Sequence, residues 1–204
     1  MKKGLFEFNV RDIVEIAIFC ALAIVLDTFV KIPLGATGGS INISMLPIFI
    51  ISLRHGWFKG LFAGGFVYGL ITCLLDNYGP ASYPLDYFVG FGSVSIIGIF
   101  APYIAKNFTK STKHTITCFA FVILSVAMWA TIRFFASSIN SVIIWEYTWE
   151  AAFIYNLTYV YFSAIADAVI LCLLLYVIHR LSKVYPTSFL KEVRKTKNET
   201  IINE

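Results

Sequence analysis

Residues 85–105 read LDYFVGFGSVSIIGIFAPYIA, and the acid near the head of the run is its only charge. A surface helix of that length alternates apolar and polar faces, whereas this one is apolar all round. About 20 such residues are what a bilayer-spanning helix requires. Comparable runs recur on both sides of it. The composition agrees, since 58% of the 204 residues are hydrophobic and only 14% are charged, against about a quarter charged in soluble domains.

The length leaves room for about six spans and no large domain outside the bilayer. The expected fold class is therefore an all-α integral membrane protein. Its six transmembrane helices are placed at 11–30, 41–54, 57–75, 85–105, 114–137 and 153–182. Together they form a single membrane domain over 1–204, with a cytoplasmic N-terminus at 1–10, the bundle at 11–182 and a basic cytoplasmic tail at 183–204. Pro47 inside the second segment predicts a kink or a broken helix.

Charge distribution gives the orientation. The net charge of +4 does not signal nucleic acid, because fourteen of the sixteen Lys and Arg fall on one side of the predicted spans. That asymmetry is the positive-inside pattern and puts both termini in the cytoplasm. Lys31 and Arg133 alone fall towards the outside, where Asp27, Asp76, Asp86, Glu146 and Glu150 gather. An outer face with that balance attracts cations. Cys20, Cys73, Cys118 and Cys172 lie singly in apolar segments and read as packing residues.

Catalysis finds little support. His55, His114 and His179 map to cytoplasmic helix ends as interfacial anchors, and no two share a metal-binding spacing. Neither a Walker-type phosphate loop nor a nucleophile elbow occurs. The chain is not expected to be an enzyme or to hold a metal or cofactor. Any ATP hydrolysis that drives it belongs to another chain.

A binding site is better supported. Tyr83, Asp86 and Tyr87 open the fourth predicted helix, while Trp145, Tyr147 and Trp149 follow the fifth. Tyr155 and Asn156 open the sixth, and Asn140 precedes the tryptophans. A carboxylate among indole and phenol faces suits a flat cationic heterocycle, which stacks on the rings while the acid neutralises its charge. Trp and Tyr singly also serve as interfacial anchors. An anchor belt, however, does not explain Asp86, Asn140 and Asn156 threaded among them. Arg133 requires an acid or a water-filled cavity, and Asp167, near mid-depth, reads as a structural ion pair, a protonated acid bonded to a neighbouring helix or a proton-coupling residue. Ala17 and Ala21, one turn apart, form a small-residue face for internal packing or for another subunit. Gly60, Gly64, Gly65 and Gly69 mark a close helix approach.

The stretch GGSINISMLPIFIISLRHG (38–56) resembles the loop and second helix of thiamine-specific substrate-binding (S) components of energy-coupling-factor (ECF) vitamin transporters. The likeness continues through EIAIFCALAIVLD (15–27), LDYFVGFGSVSIIGIF (85–100), RFFASSINSVIIW (133–145) and IYNLTYVYFSAIADAVILCLLL (154–175). It implies the six-helix ECF S-component fold in a bacterial plasma membrane. Thiamine would enter from outside, and the chain would work with a transmembrane coupling subunit and two ATPase subunits.

Residue by residue, the resemblance makes Asp86, shortened from the usual Glu, the acidic ligand position, followed by Tyr87. It makes Trp145 the stacking aromatic, Asn156 the binding Asn, and Ala17 with Ala21 the contact to the coupling subunit. Ser137 stands where relatives usually carry His, and Ala151 where they carry Tyr. Tyr147, Trp149 and Asn140 are candidates for repacking the pocket, with Tyr83 beside them. The altered pocket keeps open a different vitamin or a thiamine precursor. A solitary proton-coupled carrier using Asp167 and Arg133 is the reading from another class.

Overall fold

The computed structural model describes residues 3–34 and 39–202, with side chains described for 4–34 and 39–195. Lys2, residues 35–38 of the first loop and the side chain of Lys197 lie outside that range. A one-turn helix α1 (Lys3–Phe6) leads into α2 (Val10–Phe29). Asn9 starts α2 with a reciprocal capping box: its side chain accepts the Asp12 N–H at 2.9 Å, and Asp12 accepts the Asn9 N–H at 3.5 Å. Strands β1 (Lys31–Pro33) and β2 (Ser40–Asn42) pair antiparallel with Ile32 opposite Ile41. Helix α3 (Leu46–His55) follows.

Among the described residues four helices are long and apolar enough to cross a membrane: α4 (Trp57–Asp76), α5 (Pro80–Asn107), α6 (Thr112–Trp145) and α7 (Trp149–Val184). Helix α2 has 20 residues with its charges near the ends, whereas α3 has only 10 and spans about 15 Å. A last helix, α8 (Ser188–Ile202), closes the chain.

Several boundaries differ from expectation for local reasons. The second helix begins at Leu46 rather than 41, because Ser40–Asn42 pair as β2. Pro47 then lies in the first helical turn, where its missing N–H breaks no bond, so no kink arises there. The fifth helix continues to Trp145 instead of ending near 137. The polar residues Ser138, Asn140 and Ser141 are buried against the bundle, not exposed in a loop. The tail is not merely a basic extension, since Phe189, Leu190 and Val193 of α8 pack into the core.

Helix α3 is the inner element, with nine of its ten residues buried. Phe49 meets Trp129 edge-on at 5.3 Å, and the Trp129 indole N–H donates to the Gly90 carbonyl at 3.0 Å. The outward faces of α2 and α7 expose Ile18, Leu22, Val25, Ile165, Val169 and Leu173, as lipid contact requires. At Gly64 a Cβ would stand 2.7 Å from the Phe91 carbonyl oxygen, so a side chain there would force α4 and α5 apart.

The predicted cytoplasmic end holds a buried ionic network. Lys59 Nζ lies 2.7 Å from Asp12 Oδ2 and donates to the Gly4 carbonyl at 2.9 Å. Arg54 meets Glu15 at 3.0 Å. His55 is 1% exposed and stands between Asp12 at 3.3 Å and Glu15 at 2.9 Å, so it is a buried network member rather than an interfacial anchor. His179 is buried too, edge-on to Phe108 at 5.1 Å.

Candidate ligand-binding site

At the opposite end, the hairpin and the ends of α2, α4, α5, α6 and α7 enclose a cavity of about 310 Å³. Its position follows from how those elements end. Helix α4 stops at Asn77, which takes a left-handed conformation (φ 60°), and Gly79 (φ 88°) turns the chain into α5. Glu146 (φ 55°) ends α6 in the same way and sends α7 back beside it.

The first turns of α5 are wound as a π-helix over Tyr83–Val89, with the Gly90 N–H reaching back five residues to the Leu85 carbonyl. Such wide turns are uncommon and often occur at functional sites. This one carries Asp86 and Tyr87, and both line the cavity. A second π-helical segment, Phe62–Tyr68, lies in α4.

The carboxylates are held by neutral donors. Ser137 Oγ donates to Asp86 Oδ1. Tyr87 Oη donates to Asp76 Oδ2 at 3.0 Å, and Asn42 Nδ2 to Asp27 Oδ1 at 2.9 Å. Asn42 is a local hub: its Oδ1 accepts from the Ser44 hydroxyl at 2.8 Å, and its backbone N–H donates to Ser163 at 3.1 Å. Asn156 donates to Ser141 at 3.2 Å and accepts the Tyr159 hydroxyl at 2.7 Å.

Trp145 and Tyr78 meet edge-on at 5.4 Å on the wall, leaving Trp145 44% exposed. Tyr155 lines the cavity and accepts the Gly39 N–H, which ties the hairpin to α7. Arg133 is 8% exposed and forms no ion pair with a carboxylate among the described residues. Its guanidinium lies 4.8 Å from the Phe91 ring and 5.6 Å from Trp129, and the residue lines the cavity, so of the two expected environments it has a cavity rather than an acid. Asp167 is fully buried, and neither of its oxygens has a hydrogen-bond partner among the described residues.

The structure thus brings Asp86, Tyr87, Trp145 and Asn156 to one cavity, with Ser137 bonded to Asp86 just behind the wall. Three other candidates lie apart from it. Tyr83 donates to the Gly65 carbonyl at 3.0 Å, which binds it to α4. Trp149 is 53% exposed and packs on Phe153. Asn140 is buried within the bundle, and its Oδ1 has no hydrogen-bond partner among the described residues. Conversely, Asn42, Tyr78, Ser141 and Tyr159 line the cavity unanticipated. The i, i+4 spacing of Tyr155 and Tyr159 was a signal for the last of these. Ala17 and Ala21 are both exposed on α2. Among the described residues no cluster of three His, Cys, Asp or Glu is arranged to hold a metal.

The profile of the family described as thiamine transporter protein (Thia_YuaJ) matches residues 13–185. The chain belongs to this thiamine transporter family. The thiamine transporter ThiT of Bacillus subtilis (strain 168) is 33% identical over 185 residues, covering 84% of this chain and 93% of the relative. ThiT of Lacticaseibacillus paracasei is 27% identical over 139 residues, covering 65% and 67%. A solved structure of ThiT from Listeria monocytogenes superposes with a TM-score of 0.70 at 21% identity, covering 82% of this chain and 94% of that one. The fold is shared with that thiamine transporter. All the cavity residues fall inside the family match, whereas α1 and α8 lie outside it.

Proposed function

We propose that this chain is the thiamine-binding S component of an ECF importer, spanning a bacterial plasma membrane six times with both termini cytoplasmic. Thiamine enters the cavity from outside, its thiazolium near Asp86 and a ring against Trp145, with Asn156 as a hydrogen-bonding partner. The single observation that carries this reading is a carboxylate bonded, among the described residues, only to a hydroxyl in a cavity walled by Trp145, Tyr78 and Tyr155. At about 310 Å³ the cavity suits one small heterocycle, at the lower end of ligand sites. The phenol missing at Ala151 has counterparts in Tyr155 and Tyr159 farther along α7, which supports thiamine over a more distant ligand. The exposed face bearing Ala17 and Ala21 is the proposed dock for a coupling subunit, and two partner ATPase subunits supply the energy.

The test is titration of thiamine into purified protein while following tryptophan fluorescence. Saturable quenching at nanomolar to micromolar ligand is expected, and silence up to millimolar overturns the reading. The unpartnered Asp167 favours one alternative, a solitary proton-coupled carrier. Uptake into vesicles that contain this chain alone and a proton gradient would establish that alternative.

A further inference from the structure

We infer that Asp167 is a positioning residue for ligand binding. It takes up the Arg133 guanidinium when a cation fills the cavity, which turns occupancy of the outer site into an ion pair between α6 and α7. The inference rests on the thiamine-binding reading and concerns two charges that reading does not use.

A seat for a cation gains nothing from a second cation on its wall. Arg133 nevertheless lines the cavity. Its Nε has no hydrogen-bond partner, and no carboxylate stands within 4 Å of it among the described residues. What holds the guanidinium is ring faces alone, Phe91 at 4.8 Å, Trp129 at 5.6 Å and Tyr159 at 5.9 Å. Such faces attract a cation without engaging its N–H groups as a carboxylate does.

The complementary deficit lies one step deeper. Asp167 is fully buried, does not line the cavity, and leaves both oxygens without a hydrogen-bond partner among the described residues. Arg133 is the one charged group that acts on it there. A carboxyl kept at that depth without a partner is costly, and a nearby cation is what it lacks.

The antiparallel packing of the two helices sets the reach. The Phe134 and Tyr161 rings meet at 5.8 Å, and Asn156 bonds to Ser141, so Arg133 stands opposite residues 162–164. Asp167 is a further three to five residues along α7, about 5–8 Å at 1.5 Å per residue. Side chains lean towards the N-terminus of their own helix. Because α6 ends and α7 begins at the cavity, Arg133 leans away from it and Asp167 towards it. Each therefore leans towards the other.

A ligand moves a side chain only by interacting differently with its two positions. A thiazolium does so here, because it repels the guanidinium from the wall and draws the cavity acids Asp27, Asp76 and Asp86 to itself. Moving two like charges from about 6 to about 10 Å apart, at an effective dielectric of about 20, corresponds to about sixfold in Kd.

The experiment follows the arginine side-chain Nε–H signals of the full-length, isotope-labelled protein by NMR in detergent while thiamine is added. The chain has five arginines, and the signal lost in Arg133→Gln is that of Arg133. In wild type that signal is expected to move downfield on saturation, as a hydrogen bond to a carboxylate requires. In Asp167→Asn it should stay in place. Calorimetry in parallel should find thiamine bound about sixfold more weakly by Asp167→Asn. The same change made in Arg133→Gln should alter Kd by less than about twofold.

An acid that only supports packing would cost as much in either background, and that result overturns the inference. Unchanged affinity in Asp167→Asn overturns it too, as does an Arg133 signal that thiamine leaves unmoved. Should Asp167→Asn fail to fold, the wild-type spectrum decides alone: a downfield move sustains the inference and a still signal rejects it. Wild type that binds no thiamine sinks the binding reading and this inference with it. Thiamine binding with a motionless Arg133 sinks only this inference.

Discussion

Lys59 Nζ lies 2.7 Å from Asp12 Oδ2, and both side chains are fully buried. The pair joins α4 to the first turn of α2, the helix that presents Ala17 and Ala21. Removing one member leaves an uncompensated charge in the interior, which typically costs about 3–5 kcal/mol. Lys59→Met is therefore expected to lower the unfolding midpoint in detergent by about 10 °C. A thermal scan that moves by less than about 2 °C would show that the pair contributes nothing net.

Asp86 is predicted to dominate the binding of a cation. Asp86→Asn keeps the shape and removes the charge, so thiamine affinity should fall about 100-fold. Ser137→Ala removes only the hydroxyl that orients Asp86, and a loss of about 1 kcal/mol gives a roughly fivefold weaker Kd. Calorimetric titration of both variants checks the order; a larger loss at 137 than at 86 would contradict the geometry.

The fluorescence signal is assignable to one residue. Trp129 is buried in the core, Trp57 lies at the opposite end, and Trp149 packs on Phe153 away from the cavity. Trp145→Phe should abolish ligand-induced quenching, while Trp149→Phe should retain it. Quenching that survives loss of Trp145 would place the ligand elsewhere.

Ala17 and Ala21 lie exposed on α2, away from the cavity. Ala17→Trp or Ala21→Trp should leave thiamine affinity within about twofold, because no cavity contact changes. Transport by cells with the complete importer should be lost. Weakened binding in detergent would instead mean that the face packs internally.

Much of this arrangement was legible from residue order, and the misses have physical causes. The apolar runs gave the long helices, because lipid demands uniform hydrophobicity over a fixed length. Residues 41 and 42 were read as helix, since the pairing of 40–42 with 31–33 depends on a partner strand that local composition does not reveal. SINS at 138–141 was left outside the fifth helix, yet its residues are buried in the bundle, where polarity signals a packed or functional surface. Asp86, Tyr87, Trp145 and Asn156 were foreseen, and the cavity gathers them. Tyr83 and Trp149 lie near those residues in sequence but point to other neighbours. Asp27 and Asp76 were read only as part of a cation-attracting outer face, because only the fold brings helix ends together on one cavity wall.

The packing of α8 bears on how the protein is handled at the bench. The family match stops at residue 185, which invites trimming the gene there, yet Phe189, Leu190 and Val193 fill a hollow and Ser188 bonds to Asp12 at 2.8 Å. A clone shortened to that boundary would uncover a greasy patch beside a naked charge pair, and aggregation on extraction would be the expected symptom. Affinity tags belong beyond residue 204, leaving that roof in place.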